Sequence, residues 1–87
     1  MLEKIKTSLR VSHNKLNDDI QDLIDACLLD LKTSGVVNIK ENDPLILQAV
    51  KVYCKAHFWT DHKHTDKFQE SYESMKMHLA LCGEYNE

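Results

Sequence analysis

Four side chains able to hold a metal ion share one short stretch, "CKAHFWTDHKH": Cys54, His57, His62 and His64. Thiolate and imidazole are common zinc donors, and four of them complete a tetrahedron. Cys54 and His57 stand at i, i+3, neighbouring positions on a helix face. His62 and His64 fall in "TDHKHTD", which reads as a polar turn able to fold back on them. The spacing matches no familiar zinc pattern, however, and there is no CxxC pair. Cys54 and His57 are also the pair that would serve nucleophilic catalysis, which needs a base to orient the nucleophile and, usually, a third group. No glycine-rich turn is available to supply an oxyanion hole.

The direction of these residues depends on the helix that carries them. Its polar residues, Gln48, Lys51 and Lys55, occupy one narrow stripe, and His57 lies nearly opposite on the helical wheel. That predicts His57 toward the core near a helix C-terminus, where imidazole bonds free carbonyls or meets the dipole. The stretch is therefore expected to be a helix end with solvent-exposed His62 and His64. No catalytic, cofactor-binding or metal-ligating residue is expected.

Four helical segments are predicted, with no repeat or linker. The first carries Leu2, Ile5 and Leu9 at i, i+3, i+7, with Lys4, Lys6 and Arg10 away from that stripe. The second spans about residues 17–34, with Asn17 as N-cap, Asp18 and Asp19 in the first turn and Gly35 past the end. Ile20, Leu23, Ile24, Cys27, Leu28 and Leu31, led by Leu16, form its apolar face. "GVVNIKEN" connects it to a third helix that starts at Asp43 as N-cap and Pro44 as first helical residue, and runs to His57 or Trp59. Leu45, Ile46, Ala49, Val50, Val52, Tyr53 and Ala56 cover most of that helix, the pattern of a central buried element. The fourth helix is expected from Thr65 or Asp66 to Gly83, with Phe68, Tyr72, Met75, Leu79 and Cys82 facing inward. Met77 and Leu81 make a second apolar pair on the opposite side.

The totals agree with an all-α compact bundle of about four helices, the third central, in one domain over residues 1–87. The chain has two glycines and one proline, so turns are few and elements long. A chain of this size buries roughly 60–65% of its unfolded surface, enough for one core. The net charge of −3 argues against a general nucleic-acid binder. Three cysteines without paired spacing do not make a disulfide framework, and neither a signal-peptide core nor a membrane-length apolar run is present. A protein made and kept in a reducing cytoplasm is expected.

Asp18, Asp22 and Asp25 recur at i, i+4, i+7 and make one acidic face on the second helix, while the first segment is basic. Acidic helix faces are most often simply solvated. A subunit with opposite charges on different sides is also suited to head-to-tail association, and heterologous contacts that close form rings. Leu29, Met77 and Leu81 would add apolar contact.

The segments "LRVSHNKLNDDIQDLIDACLLDLKTSGV", "DPLILQAVKVYCKAHF" and "KFQESYESMKMHLALCGEYN" together resemble the phage head–tail connector family, the small head-completion or DNA-packaging adaptors of tailed bacteriophages and prophages. The resemblance covers nearly the whole chain, although "FWTDHKH" departs from the family pattern. It implies a non-enzymatic helical subunit that forms a ring homo-oligomer beneath the portal protein, extends the DNA channel and receives downstream connector or tail proteins. DNA would pass through without sequence-specific binding, no membrane would be involved, and the subunit would join the virion after assembly in the bacterial host cytoplasm. Weak phosphate affinity suits such a channel, because each neutralised phosphate releases counterions and adds binding. Two other readings are a small helical DNA-binding regulator, which should carry a basic recognition helix, and a metal-binding module built on Cys54, His57, His62 and His64.

Structural zinc contributes directly to folding, so the metal reading has a plain test. Purified protein is expected to contain no stoichiometric zinc, and its thermal melt should be unmoved by chelator. A lower melting temperature with chelator would reinstate the metal site.

Overall fold

The computed structural model describes the backbone of residues 1–40, 42–58 and 62–86, and their side chains except those of 62–64. Within the described residues the chain forms four α-helices and no strand: α1 (Leu2–Leu9), α2 (Asn17–Thr33), α3 (Pro44–Phe58) and α4 (His62–Leu81). The third helix packs against each of the other three, as its nearly all-round apolar surface predicts. Ile46, Ala49, Val50 and Cys54 of α3 are fully buried. They meet Ile5 and Leu9 of α1, Ile20, Ile24, Cys27 and Leu31 of α2, and Tyr72 and Leu79 of α4 in one core.

Local chemistry sets most of the helix ends. Asp43 caps α3: its carboxylate accepts from the Leu45 amide at 2.9 Å, and Pro44 opens the helix where no amide is needed. Gly35 follows α2 at φ 103°, the left-handed geometry expected past a helix end. The Val36 amide bonds back to the Leu31 carbonyl at 2.9 Å. Arg10 closes α1 in the same left-handed conformation, φ 61°, with its own amide returned to the last turn.

Three expectations about elements change. Asn17 is the first helical residue of α2 rather than its cap; Leu16 takes the cap position without a side-chain bond. The Asn17 Oδ1 is buried without a partner, while its Nδ2 reaches Asn14 Oδ1 at 3.5 Å. The side chain is thus turned back toward the preceding loop instead of onto the α2 amides. The fourth helix begins at His62, so "HKHT" is helix and not turn; the run has no glycine or proline to stop it. It ends at Leu81, ahead of Gly83. Lys6 is 4% exposed, not held away from the core stripe. Its aliphatic stem lies against the bundle, and its ammonium reaches Asn14 Oδ1 at 2.9 Å, so the polar tip is satisfied at the edge.

The segment after α4 turns back and pins the α2–α3 connector. The Tyr85 carbonyl accepts from the amides of Val37 and Asn38 at 2.7 and 3.0 Å, and the Asn38 side chain donates to the Glu84 carbonyl at 2.9 Å. The buried Tyr85 ring carries its hydroxyl to Asp43 Oδ2 at 2.7 Å, the same carboxylate that caps α3. That bond pushes the tyrosine hydroxyl up to about 12 and holds the Asp43 carboxyl below its ordinary value. Replacing Tyr85 by Ala should therefore free the connector while the four helices still form, although the domain loses one buried ring. Amide hydrogen exchange at Val37 and Asn38 should rise roughly tenfold or more beyond any rise at α3 amides; exchange at Val37 that rises no more than in α3 would show that Tyr85 does not pin the connector.

Candidate functional site

The histidine–cysteine stretch separates in three dimensions. Cys54 is fully buried, and burial pushes its thiol up to about 12, the opposite of what a nucleophile or a metal ligand requires. His57 is exposed, contrary to the expectation that it faces the core. Its ring lies 4.3 Å from that of Tyr53. The Gln48/Lys51/Lys55 stripe is not the free face of α3. Lys51 shares a shallow groove with Glu3, Lys4 and Thr7 of α1, and Lys55 lies 5.9 Å from the centre of the Phe68 ring of α4. Helices therefore cover parts of the polar stripe, and the last turn of α3 exposes His57 instead. The side chains of His62 and His64 lie outside the described residues. Among the described residues no group of three or more metal-ligating side chains converges.

A polar network does form inside the bundle, at a place the spacing of residues did not flag. The Tyr72 hydroxyl donates to Asp30 Oδ2 at 2.6 Å and receives the Cys27 thiol at 3.8 Å. Lys76 bonds the same Asp30 oxygen at 3.0 Å and Glu73 at 3.1 Å, and its ammonium lies 5.3 Å from the centre of the Tyr72 ring. The Tyr72 ring meets Tyr53 edge-on at 4.9 Å. The hydrogen bond from Tyr72, then those from Lys76, hold the Asp30 carboxyl below its ordinary value against the opposing effect of burial. Burial, followed by the bond to Asp30, pushes the Tyr72 hydroxyl well above the tyrosine range. The Cys27 thiol rises to about 12, chiefly by burial. With every member partnered, this cluster holds α2 to α4. Only an Asp on one helix and a Tyr and a Lys four residues apart on another could have hinted at it.

The remaining chemistry is on the outside. Asp18, Asp22 and Asp25 are all exposed along one ridge of α2, and Leu29 continues that ridge at 63% exposure. Asp25 accepts from Gln21 at 2.9 Å. On α1, Lys4 and Arg10 are exposed, while Lys6 is withdrawn. Met77 and Leu81 are 67% and 79% exposed, as the second apolar stripe predicts. Beside them a groove between α3 and α4 is lined by Leu45, Ser74, Met75, His78 and Leu79. Leu45, expected among the covering apolar residues of α3, is 48% exposed at the mouth of this groove, because it stands at the helix start.

Fold and surface together define an all-helical interaction module, whose polar core is structural and whose open chemistry is charge and apolar contact. The chain belongs to the phage connector protein family, whose family model matches residues 1–86. This is a structural family of the phage head–tail junction, and membership makes the chain a component of the virion that meets other head and tail proteins. No curated protein and no solved structure matches the chain. No helix among the described residues is long and apolar enough to cross a membrane.

The Tyr72–Asp30 bond yields two expected outcomes. Tyr72→Phe should lower stability by about 1–2 kcal/mol, the lower part of the range for a bond to a charged group, since Asp30 is partly open to solvent. Asp30 has a depressed folded value, so its stabilisation is present above its ordinary 3.8 and is lost as pH falls through the folded value. Asp30→Asn should therefore melt at a lower temperature than wild type near neutrality, and the gap should shrink on acidification below about pH 4. Parallel melting curves of the two proteins across pH would contradict this assignment.

Proposed function

We propose that residues 1–87 act as one head–tail connector domain, copies of which form a ring beneath the portal of a tailed phage or prophage. The ring extends the DNA channel and offers a surface to the next connector or tail protein. The family match along residues 1–86 carries this reading. The surface supports it: two neighbouring side chains of α4, Met77 and Leu81, stand open to water beside an apolar groove, more apolar exposure than an isolated helix needs. The chain's net −3 charge suits a channel past which DNA slides without tight phosphate contact. A regulator would present a basic helix, whereas the open ridge of α2 is acidic and α3 is mostly covered. Catalysis and cofactor binding have no part in this role.

The ridge of Met77 and Leu81 is assigned to contact with another component of the connector. Fully covered, each side chain would contribute about 1.5–3 kcal/mol. Met77→Ser combined with Leu81→Ser should leave helicity unchanged, since both positions are solvent-facing in the subunit, and should lower incorporation into particles by at least about tenfold. The measurement is the number of copies per purified particle after complementation of a phage lacking the gene. Wild-type protein absent from particles would sink the connector reading itself; a folded double variant incorporated like wild type would sink the role of this ridge.

A further inference from the structure

The two charged faces of the subunit lie on opposite flanks of α1. On one flank Leu2 shares a groove with Gln21, Ile24, Asp25 and Leu28 of α2, next to the acidic ridge. On the other flank Lys4 shares a groove with Lys51 of α3. Arg10, which closes α1, is exposed and shares a groove with Glu3, Lys6 and Thr7. Glu3 is the one acid on this face, which remains net positive with Lys4, Arg10 and Lys51. Among the described residues neither the three aspartates nor these three cations make an ion pair within the subunit; the salt bridges there belong to Lys76.

Resting on the reading of the chain as a self-associating connector subunit, we propose that the lateral contact between copies sets the acidic α2 ridge of one (Asp18, Asp22, Asp25) against the basic α1–α3 flank of the next (Lys4, Arg10, Lys51). The occupant is a second copy because each chain offers one face of each sign, on different sides, with neither ion-paired at home among the described residues. Such a pairing is heterologous and repeats from copy to copy, the arrangement that closes into a ring. The lengths are comparable: at about 1.5 Å per residue, Asp18 to Asp25 spans roughly 10 Å along α2, and Lys4 to the end of α1 at Leu9, which Arg10 follows, roughly 8 Å. Leu29, on the same ridge and 63% exposed, gives the contact an apolar end. The structure replaces Lys6, which composition alone would include, by Lys51: Lys6 is buried and bonded to Asn14 within its own subunit.

Charge exchange tests the pairing. One variant carries Lys4→Glu and Lys51→Glu, a second Asp22→Lys and Asp25→Lys, and a third all four changes. Circular dichroism checks that each is folded; should Lys51→Glu disturb α3, Lys4→Glu alone replaces the first pair. Copies per particle and the ring in electron micrographs of emptied particles are the readouts. Each two-site reversal should lower incorporation at least about tenfold at roughly 50 mM salt and less at roughly 500 mM, where charges are screened over a few ångströms. The four-site variant should recover to within about threefold of wild type, which a merely structural role for either face would not produce. Folded two-site variants that build wild-type rings would overturn this interface and leave the connector reading standing. Loss in both reversals without recovery in the four-site variant would show that the faces meet different partners, and would also overturn it.

Discussion

The Tyr72 hydroxyl is the point at which this small bundle commits to one arrangement. Its proton goes to Asp30 on α2, its ring rests against Tyr53 on α3, and the lysine one turn on, Lys76, shares the same carboxylate. Apolar packing alone would allow α4 to slide or rotate against α2 and α3, since leucine and isoleucine surfaces are forgiving of register. A buried phenol with one available acceptor is not forgiving, because a shift that breaks the bond leaves a polar group without water or partner. The rotation of α4 that places Met77 and Leu81 outward follows from where Tyr72 must point.

A second restraint acts at the other end. Asp43 serves α3 as cap and Tyr85 as hydrogen-bond acceptor, so one carboxylate fixes the start of the central helix and the position of the segment that follows α4. The connector between α2 and α3 has no helix or strand over 36–40, yet Val36 is fully buried and two successive amides are tied to Tyr85. Its order comes from residues more than forty positions away in sequence.

Periodicity made the helices, the central place of α3 and the open α4 pair legible, because each follows from which positions repeat along one helix. Pro44 and Gly35 marked their boundaries through backbone chemistry that does not depend on neighbours. What periodicity could not supply is which side of α3 is covered by what. The exposed place of His57, the half-covered Lys51 and the buried Lys6 all depend on how α1 and α4 lie across it, and a single-helix wheel carries no such information. Asn17 misled for a related reason: its type suits a cap, but a side chain already engaged with Asn14 is turned away from the helix amides. The polar core was hidden because Asp30 and Tyr72 belong to different helices and each is unremarkable on its own.

Burial of two of the three thiols has a consequence for the life of the particle. A virion component endures air, peroxide and metal ions with no enzyme to repair it. Oxidation proceeds through the thiolate, and burial disfavours that form at both of these thiols. Cys27 and Cys54, fully enclosed as well, are chemically quiet side chains that pack like small apolar ones. Cys82, half-buried beyond the end of α4, is left as the thiol on which ageing of a stored particle would first be written.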